Sequence, residues 1–242
     1  MFTRAIVSAP LARASVFDAI SERAEDITPE YDSLKEMLKE RVLESGNNIR
    51  YRYHYEDEGA KININTASSD VLEKLPGIES KILADAIVNS ARRPFKVKEE
   101  ILLVEGMTKD KFAQFKDLVT VYGDGKININ TAGPGVLSAL GLEEGLIDII
   151  QRYRLESPGA DGEQDTDDDG AFLIPASVLS DLRAFNSLSL TEEQQLLSLT
   201  NLWAVKSRIT GVKILSDIRG RTGNNYLAVI DTGNKKIIAW NE

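Results

Sequence analysis

A fifteen-residue stretch, KININTASSDVLEKL at 61–75, returns as KININTAGPGVLSAL at 126–140, identical at ten positions, seven of them consecutive. A match of that density marks an internal duplication rather than chance. Each copy sets an extended Ile-Asn-Ile-Asn piece before a Thr able to cap a following helix. Two copies are too few for a solenoid, so the pattern predicts one strand-to-helix passage used twice in a single fold.

Between the copies, SDVLEKLPGIESKILADAIVNSARR and FKVKEEILLVEGMTKDKFAQFKDLV read as two helix–turn–helix pieces. They centre on Leu75-Pro76-Gly77-Ile78 and Val104-Glu105-Gly106-Met107. After the second copy a helix is expected over 142–155, then a polar loop over 157–170, then helical patterns to about Leu199. Before the first copy, residues 10–45 read as helix broken at Thr28-Pro29. Tyr31, Leu34, Met37, Leu38, Val42 and Leu43 form an apolar stripe along its second part, and Gly46-Asn47-Asn48 ends it. The period then changes to two: Ile49, Tyr51, Tyr53 and Tyr55 alternate with Arg50, Arg52, His54 and Glu56, the mark of a half-buried strand. Past residue 201, LWAVKSRIT, GVKILSDI, NYLAVID and KKIIAWN read as strands, with Asp231–Asn234 as a hairpin turn. The expected fold class is α+β: an N-terminal helix on a small antiparallel sheet, with an all-helical domain of helix-hairpin-helix-like units inserted. The domains are placed at 1–61, 62–200 and 201–242, with 49–57 and roughly 202–241 forming the sheet.

Composition removes several classes of function. The 242 residues carry 29 Lys and Arg against 38 Asp and Glu, a net charge of −9, and no cysteine. Disulfides, thiolate metal sites and cysteine nucleophiles are excluded, and the acidic balance argues against a surface built to grip phosphate. The single histidine, His54, falls on the polar face of a strand with no partner for nucleophilic catalysis. No apolar run reaches the ~18 residues that span a bilayer, and the first residues do not form a signal peptide.

The order of helix, YHYEDEGAKININTA, helical block, second NINTA, and closing VKSRITGVKI, YLAVID and IIAWNE resembles the type II secretion protein K (GspK) family of minor pseudopilins. Asp57-Glu58-Gly59 and the final Ala239-Trp240 are its most specific parts. The resemblance implies a pilin-like helix on a sheet with an inserted helical domain, no enzymatic activity, and a place at the pseudopilus tip. It further implies partners among the I- and J-type minor pseudopilins, bound through the N-terminal helix, and residence at the periplasmic face of the bacterial inner membrane. A prepilin leader and a hydrophobic anchor helix are implied too. Neither is in this sequence, so the chain as given is expected to be soluble.

The same helical block is similar to the DNA-binding module of ComEA-type competence proteins, which grips phosphate with a Gly-x-Gly turn at a helix N-terminus. Here the second glycine is replaced twice, in Gly77-Ile78-Glu79 and Gly106-Met107-Thr108, and residues 61–123 hold ten bases against nine acids. Nucleic acid is therefore not expected as a partner, since affinity follows the phosphates neutralised. The candidate ligand site lies in the acidic loop, where Glu156–Asp169 holds seven acids and no base. Asp165, Asp167, Asp169 and Gly170 match positions 1, 3, 5 and 6 of an EF-hand loop, a spacing that converges carboxylates on a hard cation. Position 12 is Ala176, so missing ligands are expected from Asp161, Glu163 or the Ala171 carbonyl. The predicted metal set is Asp161, Glu163, Asp165, Asp167 and Asp169, with Ca²⁺ as the cation; calcium in the helical domain is also what the family resemblance implies.

Overall fold

The computed structural model describes residues 40–45, 49–159, 162–163, 169–218, 221–234 and 236–241. The expected helix over 10–39 lies outside the described residues. Its last residues are a strand instead: β1, Arg41–Ser45, pairs antiparallel with β2, Ile49–Asp57, from Ser45↔Ile49 to Arg41↔Tyr53. Five residues fit either period, and β2 supplies β1 with backbone partners that a last helical turn would lack.

After a 3₁₀ turn at Glu58–Ala60 the first NINTA opens with β3, Ile62–Asn63. Helices α1 (Ser69–Leu72) and α2 (Lys81–Val88) form one hairpin. A 3₁₀ turn, Lys98–Leu103, and α3 (Lys109–Phe115) form the next, and β4 (Val119–Thr120) returns to pair parallel with β3. The second NINTA repeats the plan. Strand β5 (Ile127–Asn128) leads into α4 (Pro134–Ala139) and α5 (Glu144–Glu156), then α6 (Val178–Phe185) and α7 (Leu190–Ser198). Strand β6 (Trp203–Ala204) closes it, parallel to β5. The duplication thus extends well past the fifteen matching residues, to a whole strand–two hairpins–strand unit.

Local chemistry sets these boundaries. The two Thr residues do not cap the helices. Chain reversal at Ala67 N–H→Asn63 O and Ala132 N–H→Asn128 O delays each helix, so Ser68 caps α1 through Val71 N–H, and Gly133 precedes Pro134 in α4. Thr108 caps α3, and Ser189 with Glu192 forms a full capping box on α7. On α5, Leu146, Ile149, Ile150 and Tyr153 recur at helical spacing and are buried. All of these pack into one core running from Ile62 to Trp203, with Ile64, Leu72, Phe115 and Ile129 fully enclosed.

The closing strands are β7 (Ile209–Ile218), β8 (Arg221–Asp231) and β9 (Lys236–Asn241), and the sheet order is β1-β2-β7-β8-β9. Residues 203–204, expected in this sheet, pair with β5 instead, because the returning strand completes the second copy. The turn between β8 and β9 is held by Asp231, whose carboxylate accepts from Asn234 N–H at 3.0 Å and Asn234 Nδ2 at 2.7 Å. A second core of Tyr53, Val212, Ile214, Tyr226, Ala228 and Ile230 lies on one face of the sheet. The chain divides into two compact units, 57–207 and the flanking segments up to Glu56 and from Arg208.

Candidate functional site

Inside unit 57–207 the buried polar groups repeat as closely as the helices do. Asn65 Oδ1 accepts from Phe95 N–H at 2.7 Å, while its Nδ2 donates to Phe95 O at 2.9 Å and Val121 O at 3.3 Å. Asn130 does the same with Phe172 N–H at 2.8 Å, Phe172 O at 2.9 Å and Val205 O at 2.9 Å. Both asparagines thus pin a distant loop and a returning strand to the NINTA turn. Two arginines also correspond: Arg93 donates to Ala67 O at 2.8 Å, and Arg154 donates to Ala132 O at 2.7 Å and to Ile129 O. Burial pushes the Arg154 guanidinium down to about 10, and its Nε, like that of Arg93, has no hydrogen-bond partner.

Asp57 and Glu58 tie the two copies together. Asp57 is 4% exposed; its Oδ1 accepts from Gly59 N–H at 2.7 Å, and its Oδ2 accepts from Asn128 Nδ2 at 2.8 Å and Thr131 Oγ1 at 2.5 Å, all but the first in the second copy. Glu58 turns to the first copy, accepting from Thr120 Oγ1 at 2.5 Å and from Lys61 Nζ at 2.7 Å. Gly59 admits no side chain, because a Cβ would collide with the Ser207 hydroxyl. The only signals for this clasp in the sequence are the acidic pair directly before the first repeat and the asparagines alternating with buried isoleucines.

The hairpin turns keep the backbone of a phosphate-binding turn without its surroundings. Gly77 and Gly106 have φ of +81° and +83°, and the turns close through Ile78 N–H→Leu75 O and Met107 N–H→Val104 O, both 3.1 Å. Glu79, at the place of the missing glycine, is the one non-glycine residue with positive φ, +38°, among the described residues. Ser80, which precedes α2, makes no side-chain capping bond. At Gly77 a Cβ would lie 2.7 Å from Lys111 O, so the close approach that glycine permits is taken up by α3.

The family model for the helix-hairpin-helix motif matches residues 57–120. That span begins at Asp57 and ends on the last residue of β4, so it covers Asp57, Glu58 and the first copy. Over the whole chain, a subunit in the crystal structure of the GspK–GspI–GspJ complex from the enterotoxigenic Escherichia coli type 2 secretion system aligns with a TM-score of 0.69. This chain shares that subunit's fold. The alignment covers 99% of this chain and 97% of the other at 14% identity. No curated protein sequence matches.

Of the predicted metal ligands, Glu163 is exposed and Asp169 half-buried beside Gly170; Asp161, Asp165 and Asp167 lie outside the described residues. Among the described residues no group of three or more His, Asp or Glu side chains is placed to hold a metal. What is described is the neck of the loop. Gly170, at φ +67°, donates its N–H to Ser157 O at 2.9 Å, and a Cβ there would collide with the Arg154 carbonyl. Among the described residues no helix is long and apolar enough to cross a membrane.

Proposed function

We propose that the chain is a minor pseudopilin of a bacterial type II secretion system, acting without enzymatic activity at the tip of the pseudopilus. In this reading it works at the periplasmic face of the inner membrane and supports protein export across the outer membrane. Its partners are the I- and J-type minor pseudopilins, engaged through the apolar stripe of the N-terminal segment. The observation that carries the reading is the shared fold over nearly the full length of both chains, with a subunit from a complex of that kind. A competence-type DNA-binding role is not favoured, since Glu79 puts a carboxylate at the hairpin where phosphate would sit and α3 fills the glycine's space.

Ca²⁺ belongs to the proposal. The acidic segment supplies hard oxygen donors at alternate positions, and Gly170 has the left-handed backbone that the sharp turn at position 6 requires. Asp161, Glu163, Asp165, Asp167 and Asp169 would hold the ion, whose charge would offset the repulsion among the carboxylates.

The deciding experiment mixes the chain with the periplasmic parts of the I- and J-type minor pseudopilins of the same system and reads the mass by light scattering after gel filtration. A stoichiometric heteromer that Leu34→Glu with Leu38→Glu abolishes is the expected result. No complex, together with a salt-sensitive DNA isotherm, overturns the assignment.

A further inference from the structure

The two copies differ most in one connection. In the first, Arg93 reaches Phe95 through Pro94 alone; in the second, the chain leaves Arg154 and comes back to Phe172 only after the acidic segment. Yet both arginines cap the equivalent alanine carbonyl, and both phenylalanines exchange two hydrogen bonds with the equivalent asparagine. The framework is therefore complete in a copy that has no acidic segment.

The excursion is also closed at its base by residues that belong to the framework. Ser157 is buried and donates its N–H to Tyr153 O at 3.0 Å; its carbonyl accepts from Gly170 N–H at 2.9 Å. Tyr153 stacks on Phe172 with ring centroids 4.3 Å apart, so both sides of the neck are fixed to the core. We propose that residues 158–169 are an insertion into the second copy of a duplicated unit, an added carrier of carboxylates that the unit folds without. The proposal stands apart from the calcium reading, because it rests on the neck and on the comparison of the copies.

The neck geometry dictates the test. A carbonyl bonded to the N–H three residues on is a β-turn, so two residues suffice to join Ser157 to Gly170 while keeping their hydrogen bond. In the full chain, 158–169 is replaced by Asn-Gly, and thermal unfolding is followed in excess EDTA. A shorter closed loop loses less entropy on folding, so the expected Tm equals or exceeds that of the parent. A second protein keeps every residue and gains a protease recognition sequence after Gly162, cleaved once the protein has folded. Its two fragments should stay associated through gel filtration and keep the far-ultraviolet spectrum and buried Trp203 emission of the uncut chain. Fragments that separate, or a cut chain that loses the folded spectrum, overturn the proposal, and the cut chain decides the matter should the shortened one not fold. Titration of the parent with CaCl₂ is read separately: no binding there removes the calcium reading and leaves the comparison in EDTA decisive for this one.

Discussion

Asp57→Asn changes one atom and nothing of the side chain's shape, so its effect isolates the hydrogen-bonding logic of the clasp. The carboxylate accepts on both oxygens and donates nothing. An amide there must turn its NH₂ either toward Gly59 N–H or toward Asn128 Nδ2 and Thr131. The Thr131 hydroxyl can rotate to accept, but Asn128 cannot exchange ends, because its Oδ1 already accepts from Asn130 N–H at 3.1 Å. In either orientation a buried donor faces a donor, at about 1–3 kcal/mol, and the bonds that survive lose the strength the charge gave them. Relief of carboxylate desolvation opposes this, leaving a net loss of about 2–3 kcal/mol. For a chain of this size that is a fall in Tm of about 4–12 °C. Trp203 is 2% exposed in the same unit, and the chain's other tryptophan is Trp240. Urea unfolding in a Trp240→Phe background therefore reports on unit 57–207 alone. A double-mutant cycle with Thr131→Val should return a coupling of about 1 kcal/mol. Loss of less than about 0.5 kcal/mol in Asp57→Asn, with no coupling to Thr131, would refute the assignment of Asp57 as a clasp.

Asn65→Ala and Asn130→Ala each strand one buried phenylalanine N–H and two carbonyls, so each should cost about 2–4 kcal/mol. The two losses, read from the same Trp203 urea curves, should agree within about 1 kcal/mol; a wide divergence would mean that the copies share a sequence without sharing a role. In the sheet unit, Asn234 N–H and then its side chain, with Arg208 nearby, hold the Asp231 carboxyl below its usual range. A carboxylate with a lower value folded than unfolded stabilises above the unfolded value and loses that contribution as pH falls through the folded one. Melting curves of Asp231→Asn and the parent should therefore separate above the ordinary carboxylate value of about 4 and converge as pH falls through the lowered folded one. Separation that persists in acid would mean that the difference comes from the amide's own hydrogen bonding and not from the lost charge.

The parts of this fold legible in the sequence are those whose pattern is local. Alternating tyrosines mark β2 because one face is buried, and Asp231–Asn234 marks a turn because an Asx side chain competes for its own backbone. Residues 41–45 are ambiguous in the sequence because five residues with one adjacent apolar pair are too few to fix a period, and only the partner strand decides between helix and strand. The extent of the duplication was hidden for a different reason. Past Leu75 and Leu140 the copies keep hydrogen-bond acceptors that are the backbone carbonyls of Phe95 and Val121 and of Phe172 and Val205, and backbone atoms impose little signature on the sequence around them. Arg154 is illegible in the sequence for the same cause: it satisfies the carbonyls of Ile129 and Ala132, and an arginine near the end of an amphipathic helix reads as a solvated charge.

The hairpins show how one local geometry serves opposite ends. A glycine with positive φ bares backbone on one side of a turn, and whatever lies nearest can use the opening. In a phosphate binder that neighbour is the ligand, drawn in by unpaired N–H groups and surrounding bases. Around Gly77 the neighbour is the Lys111 carbonyl of the next hairpin, and the charge over 61–123 is close to balanced. Lys81, at the first position of α2, is already engaged by Asp70 and the Ser69 hydroxyl. Each attribute that would hold a phosphate is thus spent on holding one hairpin against another. The same exchange explains why Glu79 is tolerated at a position that glycine suits better: with no anion to admit, the carboxylate repels nothing, and what remains is the backbone strain at φ +38°.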